Sequence, residues 1–169
     1  MSTAALVSVP EYLSKTFEPD CDYVDGALVE RNVGTKDHST LQFRVALWFH
    51  ERAQELEVSA FVELRVRVNE RRFRIPDVCV MAHPVPEEQV VTVPPYVCIE
   101  ILSPEDNFRT MQDRFDDYLT MGAANVWLLD PASRRGWSIT RAGHTEALDG
   151  MMRSTDGRVT LPIADLYHQ

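Results

Sequence analysis

Two short stretches, RFRIPDVCVM at residues 72–81 and YVCIEILSP at residues 96–104, decide the fold. Each reads as a β-strand with one carboxylate in an apolar setting: Asp77 directly after Pro76, and Glu100 inside Val97-Cys98-Ile99-Glu100-Ile101-Leu102. A carboxylate is costly to bury in such a run unless a cation or hydrogen-bond donors answer it. Two of them, on strands that could pair, suggest a site where oxygen ligands hold a hard metal ion. The plain alternative for either acid is a strand end that turns to solvent or caps a loop.

Toward the C-terminus, Ser103-Pro104 closes the second strand. From about Phe108 to Met121, Met111, Phe115, Tyr118 and Leu119 recur at helical spacing, with Gly122 placed to end the helix. NVWLLDP, residues 125–131, is another buried strand stopped by Pro131. Strand, helix and strand in this order predict a parallel βαβ crossover. The run at 96–102 is then a central strand covered on both faces. Beyond it, GWSIT and TEALD suggest a hairpin around Ala142-Gly143, and LPIADLYHQ a short closing helix.

Toward the N-terminus, Val62, Leu64, Val66 and Val68 alternate with Glu63, Arg65, Arg67 and Asn69, which predicts one half-buried strand. Asn69-Glu70-Arg71 makes the turn, and Phe73 to Met81 returns beside it. Pro76 lacks an amide hydrogen, so the ladder needs an edge, a bulge or a gap just before Asp77, where an irregularity can aim a side chain. Earlier still, GTKDHSTLQFRVALWFHERAQELE (residues 34–57) opens with capping residues and places Leu41, Val45, Trp48, Phe49 and Leu56 at helical spacing. This predicts a helix of four to six turns. DYVDGALVE (residues 22–30) predicts a hairpin turning on Asp25-Gly26. Ser8-Val9-Pro10-Glu11 has the spacing of a capping box for a helix through about Thr16. AHPVPEEQVVTVPP (residues 82–95) carries four prolines and predicts an irregular surface loop.

The 169 residues, 44% hydrophobic and 25% charged, fit a single domain over 1–169 with a sizeable core. No apolar run approaches the roughly 18–20 residues of a membrane span. The first residues, MSTAALVSVPEYL, lack a basic region and a long apolar stretch, so neither a signal peptide nor a membrane partner is expected. Three cysteines, Cys21, Cys79 and Cys98, two of them in apolar strands, suit buried free thiols in a reducing cytoplasm. Net charge is −9, from 17 basic and 26 acidic residues, which argues against indiscriminate binding to nucleic acid. A local basic patch exists nonetheless at Arg65, Arg67, Arg71, Arg72 and Arg74. It could grip a DNA backbone, or protect a sheet edge from aggregation.

The ordered set Pro76-Asp77, Glu100 with Ser103-Pro104, Tyr118, Gly122, Trp127, Asp130 and Pro131 resembles the Uma family of restriction-endonuclease-like proteins. That family is a branch of the PD-(D/E)XK nuclease superfamily. The YVDGALVE hairpin and His38 fit the pattern too, and the likeness covers roughly Pro10 to Thr140. The resemblance implies an α/β (α+β) restriction-endonuclease-like fold, with a mixed central sheet flanked by helices. It also implies Mg²⁺-dependent (or Mn²⁺-dependent) hydrolysis of phosphodiester bonds. Asp77 and Glu100 would be metal ligands, with the Ile101 carbonyl as a natural further one.

The superfamily also uses a lysine near the attacking water. Its strand position is Leu102 here, and on the following helix, where related proteins carry it, this chain has Arg114. Arginine keeps the charge but does not lose a proton near neutral pH. A surface arginine pairing along the helix with Asp117 or Thr110 is the alternative reading of Arg114. Glu63 could add a carboxylate and His38 could approach from the helix start, while Arg65, Arg67, Arg72 and Arg74 are candidate nucleic-acid contacts. The expectation is a DNA endonuclease, perhaps working as a homodimer. Two alternatives stand beside it: a weakened or inactive nuclease-fold protein that binds or assembles, and a hydrolase of a smaller phosphate substrate.

Overall fold

The computed structural model describes residues 6–32 and 34–167. Ser8 caps helix α1 (Val9–Ser14) by accepting from the Glu11 amide, as the capping box predicts, although the helix stops before Thr16. The first hairpin pairs β1 (Cys21–Val24) with β2 (Ala27–Glu30). Asp25 at φ 51° and Gly26 at φ 97° form its turn, both in the left-handed region that a primed hairpin turn requires.

Helix α2 (Lys36–Glu51) starts at Thr35, whose hydroxyl accepts from the His38 amide. It buries Leu41, Val45, Trp48 and Phe49 as the spacing predicts. The helix breaks at Arg52, and Leu56 follows in the single turn of α3 (Ala53–Leu56).

The alternating stretch 58–69 is not one strand. It divides into β3 (Val58–Val62) and β4 (Val66–Asn69) around Glu63, which sits at φ 52°. Its returning partner divides likewise into β5 (Arg72–Arg74) and β6 (Val78–Ala82) around Pro76. β4 and β5 pair within a four-stranded sheet ordered β2-β1-β5-β4. β3 and β6 pair within the large sheet. The predicted hairpin is therefore bent across two sheets, and Asp77 lies at the bend.

The large sheet runs β10-β9-β8-β7-β6-β3. At its centre is β7 (Val97–Ile101), buried along its whole length. It is parallel to β8 (Asn125–Asp130) through helix α4 (Phe108–Met121), the predicted crossover. The hairpin β9 (Arg135–Thr140) and β10 (Gly143–Glu146) completes the edge. Alternation along β6 and β7 gives the sheet two apolar faces. Val78, Val80, Val97 and Ile99 pack with the α2 residues, while Cys79, Met81 and Cys98 pack with Met111, Phe115 and Tyr118 of α4.

Residues 147–160, unassigned from sequence, include a small ribbon of β11 (Met151–Arg153) with β12 (Thr160–Pro162). The predicted closing helix is a 3-10 turn, Ile163–Leu166, and His168 and Gln169 lie outside the described residues. Residues 82–95 are irregular as predicted, though Val91 is buried and bridges to Val66. The three cysteines are free and buried. No helix among the described residues is long and apolar enough to cross a membrane.

Candidate active site

β6 and β7 are antiparallel with Val78 opposite Ile99. One further step in that register sets Asp77 opposite Glu100, and opposed residues of an antiparallel pair share a face. Both carboxylates therefore point to the α4 side, in line with Cys79 and Cys98. Both are buried, at 3% and 1% exposure. Pro76 ends the ladder just before Asp77, leaving the Asp77 carbonyl to accept from the Gln42 side chain at 3.0 Å and the Glu63 amide at 3.3 Å.

Every oxygen of the pair is answered. Asp77 Oδ1 accepts from Arg31 Nη2 at 2.6 Å, and Oδ2 from the Ile101 amide at 2.7 Å, with His38 Nε2 at 3.3 Å. Glu100 Oε1 accepts from the Tyr118 hydroxyl, and Oε2 from Arg114 Nη1 at 3.2 Å. Both α4 residues reach the sheet because they lie four apart on its buried stripe. Arg114 is thus buried against Glu100 rather than spread along the helix surface.

A third buried carboxylate, Asp22 on β1, joins the two halves. It accepts from Arg74 Nη1 at 2.9 Å and from the Ile75 amide at 3.0 Å, while Arg114 Nε lies 3.4 Å and Arg31 Nη1 3.9 Å away. Asp117 of α4, expected on a solvated face, instead accepts from Arg72 and Arg74. The result is an alternating chain of charges running from Asp77 through Arg31, Asp22 and Arg114 to Glu100.

The two acids titrate in opposite directions. Burial, then the Asp77 charge, push Glu100 up to about 7, against the pull of Arg114, Arg31 and the Tyr118 bond. Burial works against ionised Asp77 as well, but the His38 hydrogen bond, the Arg31 charge and the Ile101 amide outweigh it and hold Asp77 below the usual range. Burial lowers His38, yet its bond and charge contact with Asp77 leave it raised overall.

Asp77, Glu100, Arg114, Ile101 and His38 therefore meet, Ile101 through its amide. Glu63 stands beside them, lining an opening of ≈ 190 Å³ with Arg31, His38, Gln42 and Asp77, but it is exposed. The proposed nucleic-acid face of arginines is corrected. Arg74 is 3% exposed and spent on Asp22 and Asp117. Arg72 pairs with Asp25 and Asp117, and Arg65 stacks over Tyr12 at 4.4 Å. Arg67 is half-buried, with Nε near the Asn69 carbonyl. In an acidic chain with buried carboxylates, these side chains neutralise the interior. Arg31 and Asp22 went unread because their roles depend on pairing between β1 and β5, far apart in sequence.

In kind, the donors suit a hard divalent ion: two carboxylates on one face, the usual protein share of an Mg²⁺ shell. Among the described residues no third His, Cys, Asp or Glu completes a cluster spaced to hold a metal. The positive charge facing the pair comes from Arg31, His38 and Arg114.

A mixed sheet with helices on both faces and two carboxylates side by side at the bend defines a restriction-endonuclease-like α/β architecture. The chain belongs to the family described as "Uma2: Putative restriction endonuclease", whose model matches residues 9–151. Among solved structures it is similar to that of "a putative nuclease belonging to DUF820 from Anabaena variabilis ATCC 29413". The TM-score is 0.81 at 21% identity, covering 95% of this chain and 97% of the other, a likeness that shows a shared fold. No curated protein matches the chain.

Proposed function

We propose that this chain is a metal-dependent endonuclease that hydrolyses phosphodiester bonds of DNA. The observation that carries the reading is the opposition of Asp77 and Glu100 on one buried face, ringed by Arg31, His38 and Arg114. Asp77, Glu100 and the Ile101 carbonyl would hold Mg²⁺ or Mn²⁺. When bound, such an ion lowers the pKa of a coordinated water and offsets charge building on the phosphate. Asp77, held ionised, is the ready ligand. Glu100, balanced near neutrality, takes up or releases a proton with little cost. Arg31 and Arg114 supply fixed positive charge for phosphate oxygens and take no part as bases. Cleavage of both strands by subunits with one centre each calls for a homodimer.

The test is cleavage of plasmid and oligonucleotide DNA in Mg²⁺ and Mn²⁺, with calorimetry of Mn²⁺ binding, for wild type, Asp77→Ala and Glu100→Ala. Wild type should cut and bind the ion, and both variants should lose cutting. A wild type that neither cuts nor binds a divalent ion overturns the reading.

One observation favours a second reading, a nuclease-fold protein that binds or assembles with little catalysis. Both oxygens of Asp77 and of Glu100 are already engaged by partners within the chain. Arg114→Lys separates the two, since lysine restores an amine able to deprotonate. A gain of cleavage supports the second reading, and efficient cleavage by wild type removes it.

A further inference from the structure

With Arg65, Arg72 and Arg74 held inside the molecule, the cations open to an anionic ligand lie elsewhere. Lys36, Arg44 and Arg134 take part in no ion pair among the described residues, in a chain of net charge −9. All three line one cavity of ≈ 390 Å³. Such a volume falls in the range that small-molecule sites occupy.

Each wall of this cavity is built to keep its charge there. Lys36 opens the 16-residue helix α2, whose first amides add positive potential. Arg44, two turns along, is steadied by donating Nη1 to the Leu166 carbonyl at 2.9 Å. Arg134 sits at φ 55° in the turn after β8 and lies over the Tyr167 ring at 4.9 Å. Asp37 is the single carboxylate lining the cavity, because Asp130 is turned into its own loop, accepting from the Ala132 amide and Ser133 hydroxyl. Three cations thus face one anion.

The cavity also adjoins the centre. Lys36 and Asp37 precede His38 within one helical turn, and His38 reaches Asp77. Pro131 and Arg134 follow the C-terminal end of β8, which runs parallel to the strand that carries Glu100. Ligands of α/β sheets gather at that end of the strands.

We infer that this cavity is a phosphate-ester subsite: it receives a nucleotide flanking the bond to be cut, its phosphate held by Lys36, Arg44 and Arg134. The inference rests on the nuclease reading and adds a place for the neighbouring strand segment. A free mononucleotide offers the same chemistry, so the experiment separates the two sources.

The full-length protein is titrated in EDTA with a fluorescein-labelled 20-base-pair duplex, followed by anisotropy at several salt concentrations. Lys36→Ala/Arg134→Asn removes two exposed cations, asparagine tolerating the left-handed backbone. Its Kd should rise about tenfold, and the slope of log K against log salt should fall by roughly 1.8, about 0.9 per lost phosphate contact. Lys36→Arg/Arg134→Lys should keep the wild-type slope, showing that charge rather than local folding is read. Unchanged affinity and slope in the first double variant overturn the inference. Adenosine 5′-monophosphate is titrated in parallel by calorimetry. Binding that the double variant abolishes, with duplex affinity intact, makes this a free-nucleotide site and also overturns it. Mg²⁺-dependent cutting by wild type and its loss in Asp77→Asn report on the nuclease reading independently of the cavity variants.

Discussion

Arg31 and Asp77 lie 46 residues apart and meet at 2.6 Å, joining the end of the first hairpin to the bend between the two sheets. Both side chains are almost fully covered, at 10% and 4% exposure. Removing one partner of such a pair leaves a buried charge unanswered. Arg31→Ala should therefore cost roughly 3–5 kcal/mol of stability, well beyond the roughly 0–1 kcal/mol of an exposed pair. Urea unfolding checks this, and a loss below about 1 kcal/mol would show that Asp77 does not depend on Arg31.

Glu100 gives the molecule a pH dependence of definite sign. Its folded-state pKa is near 7 against an ordinary 4.5, so the folded protein holds an extra proton between those values. The stability this contributes is full below about pH 4.5 and is lost as pH rises through about 7. Asp77, held low, acts in the opposite sense: its share is present above its ordinary pKa and disappears as pH falls through the folded value. Glu100→Gln removes the Glu100 share alone. Relative to the variant, wild type should lose on the order of 2–3 kcal/mol between about pH 5 and pH 8. Parallel stability curves from chemical unfolding would refute it.

The basic stretch at 65–74 should behave as two populations. Arg74, buried between Asp22 and Asp117, should cost about 3–5 kcal/mol when changed to alanine. Arg71 is 68% exposed and pairs only loosely with Asp25, so Arg71→Ala should stay within about 0.5 kcal/mol. Thermal unfolding of the two variants side by side reads the contrast.

Gly136 on β9 leaves no room for a side chain. A Cβ there would meet Met152 Sδ at 2.6 Å, Leu129 Cδ2 at 2.9 Å and Ile163 Cδ1 at 3.0 Å. Gly136→Ala should destabilise by roughly 1–3 kcal/mol through overpacking, visible as a lower urea midpoint at unchanged slope.

Elements whose signal is local were legible in the sequence. The β7–α4–β8 crossover, the Asp25-Gly26 hairpin and the buried stripe of α2 follow from periodicity and turn chemistry within a few residues. The pairing of Asp77 with Glu100 was legible because Pro76 marked the ladder's end and the apolar runs marked the strands. The division of residues 58–82 between two sheets was not, since Glu63 at positive φ leaves no trace in an alternating pattern. That missed bend also hid the arginines' role. Alternation along one strand puts Arg65 and Arg67 on a solvent face, whereas the small sheet folds Arg72 and Arg74 back onto Asp117. Arg31 and Asp22 carry no local signal, because their partners come from strands brought together only by the tertiary fold.

The bend at Asp77 also bears on how the protein matures. Asp77 is fixed by β6 and β7 of the large sheet, while Arg31 and Asp22 arrive with the small one. A chain with only one of its sheets formed has half of the charge chain and no assembled centre. Whatever reaction this centre performs is thereby withheld from nascent and partly folded molecules, and the site itself serves as the last checkpoint of folding.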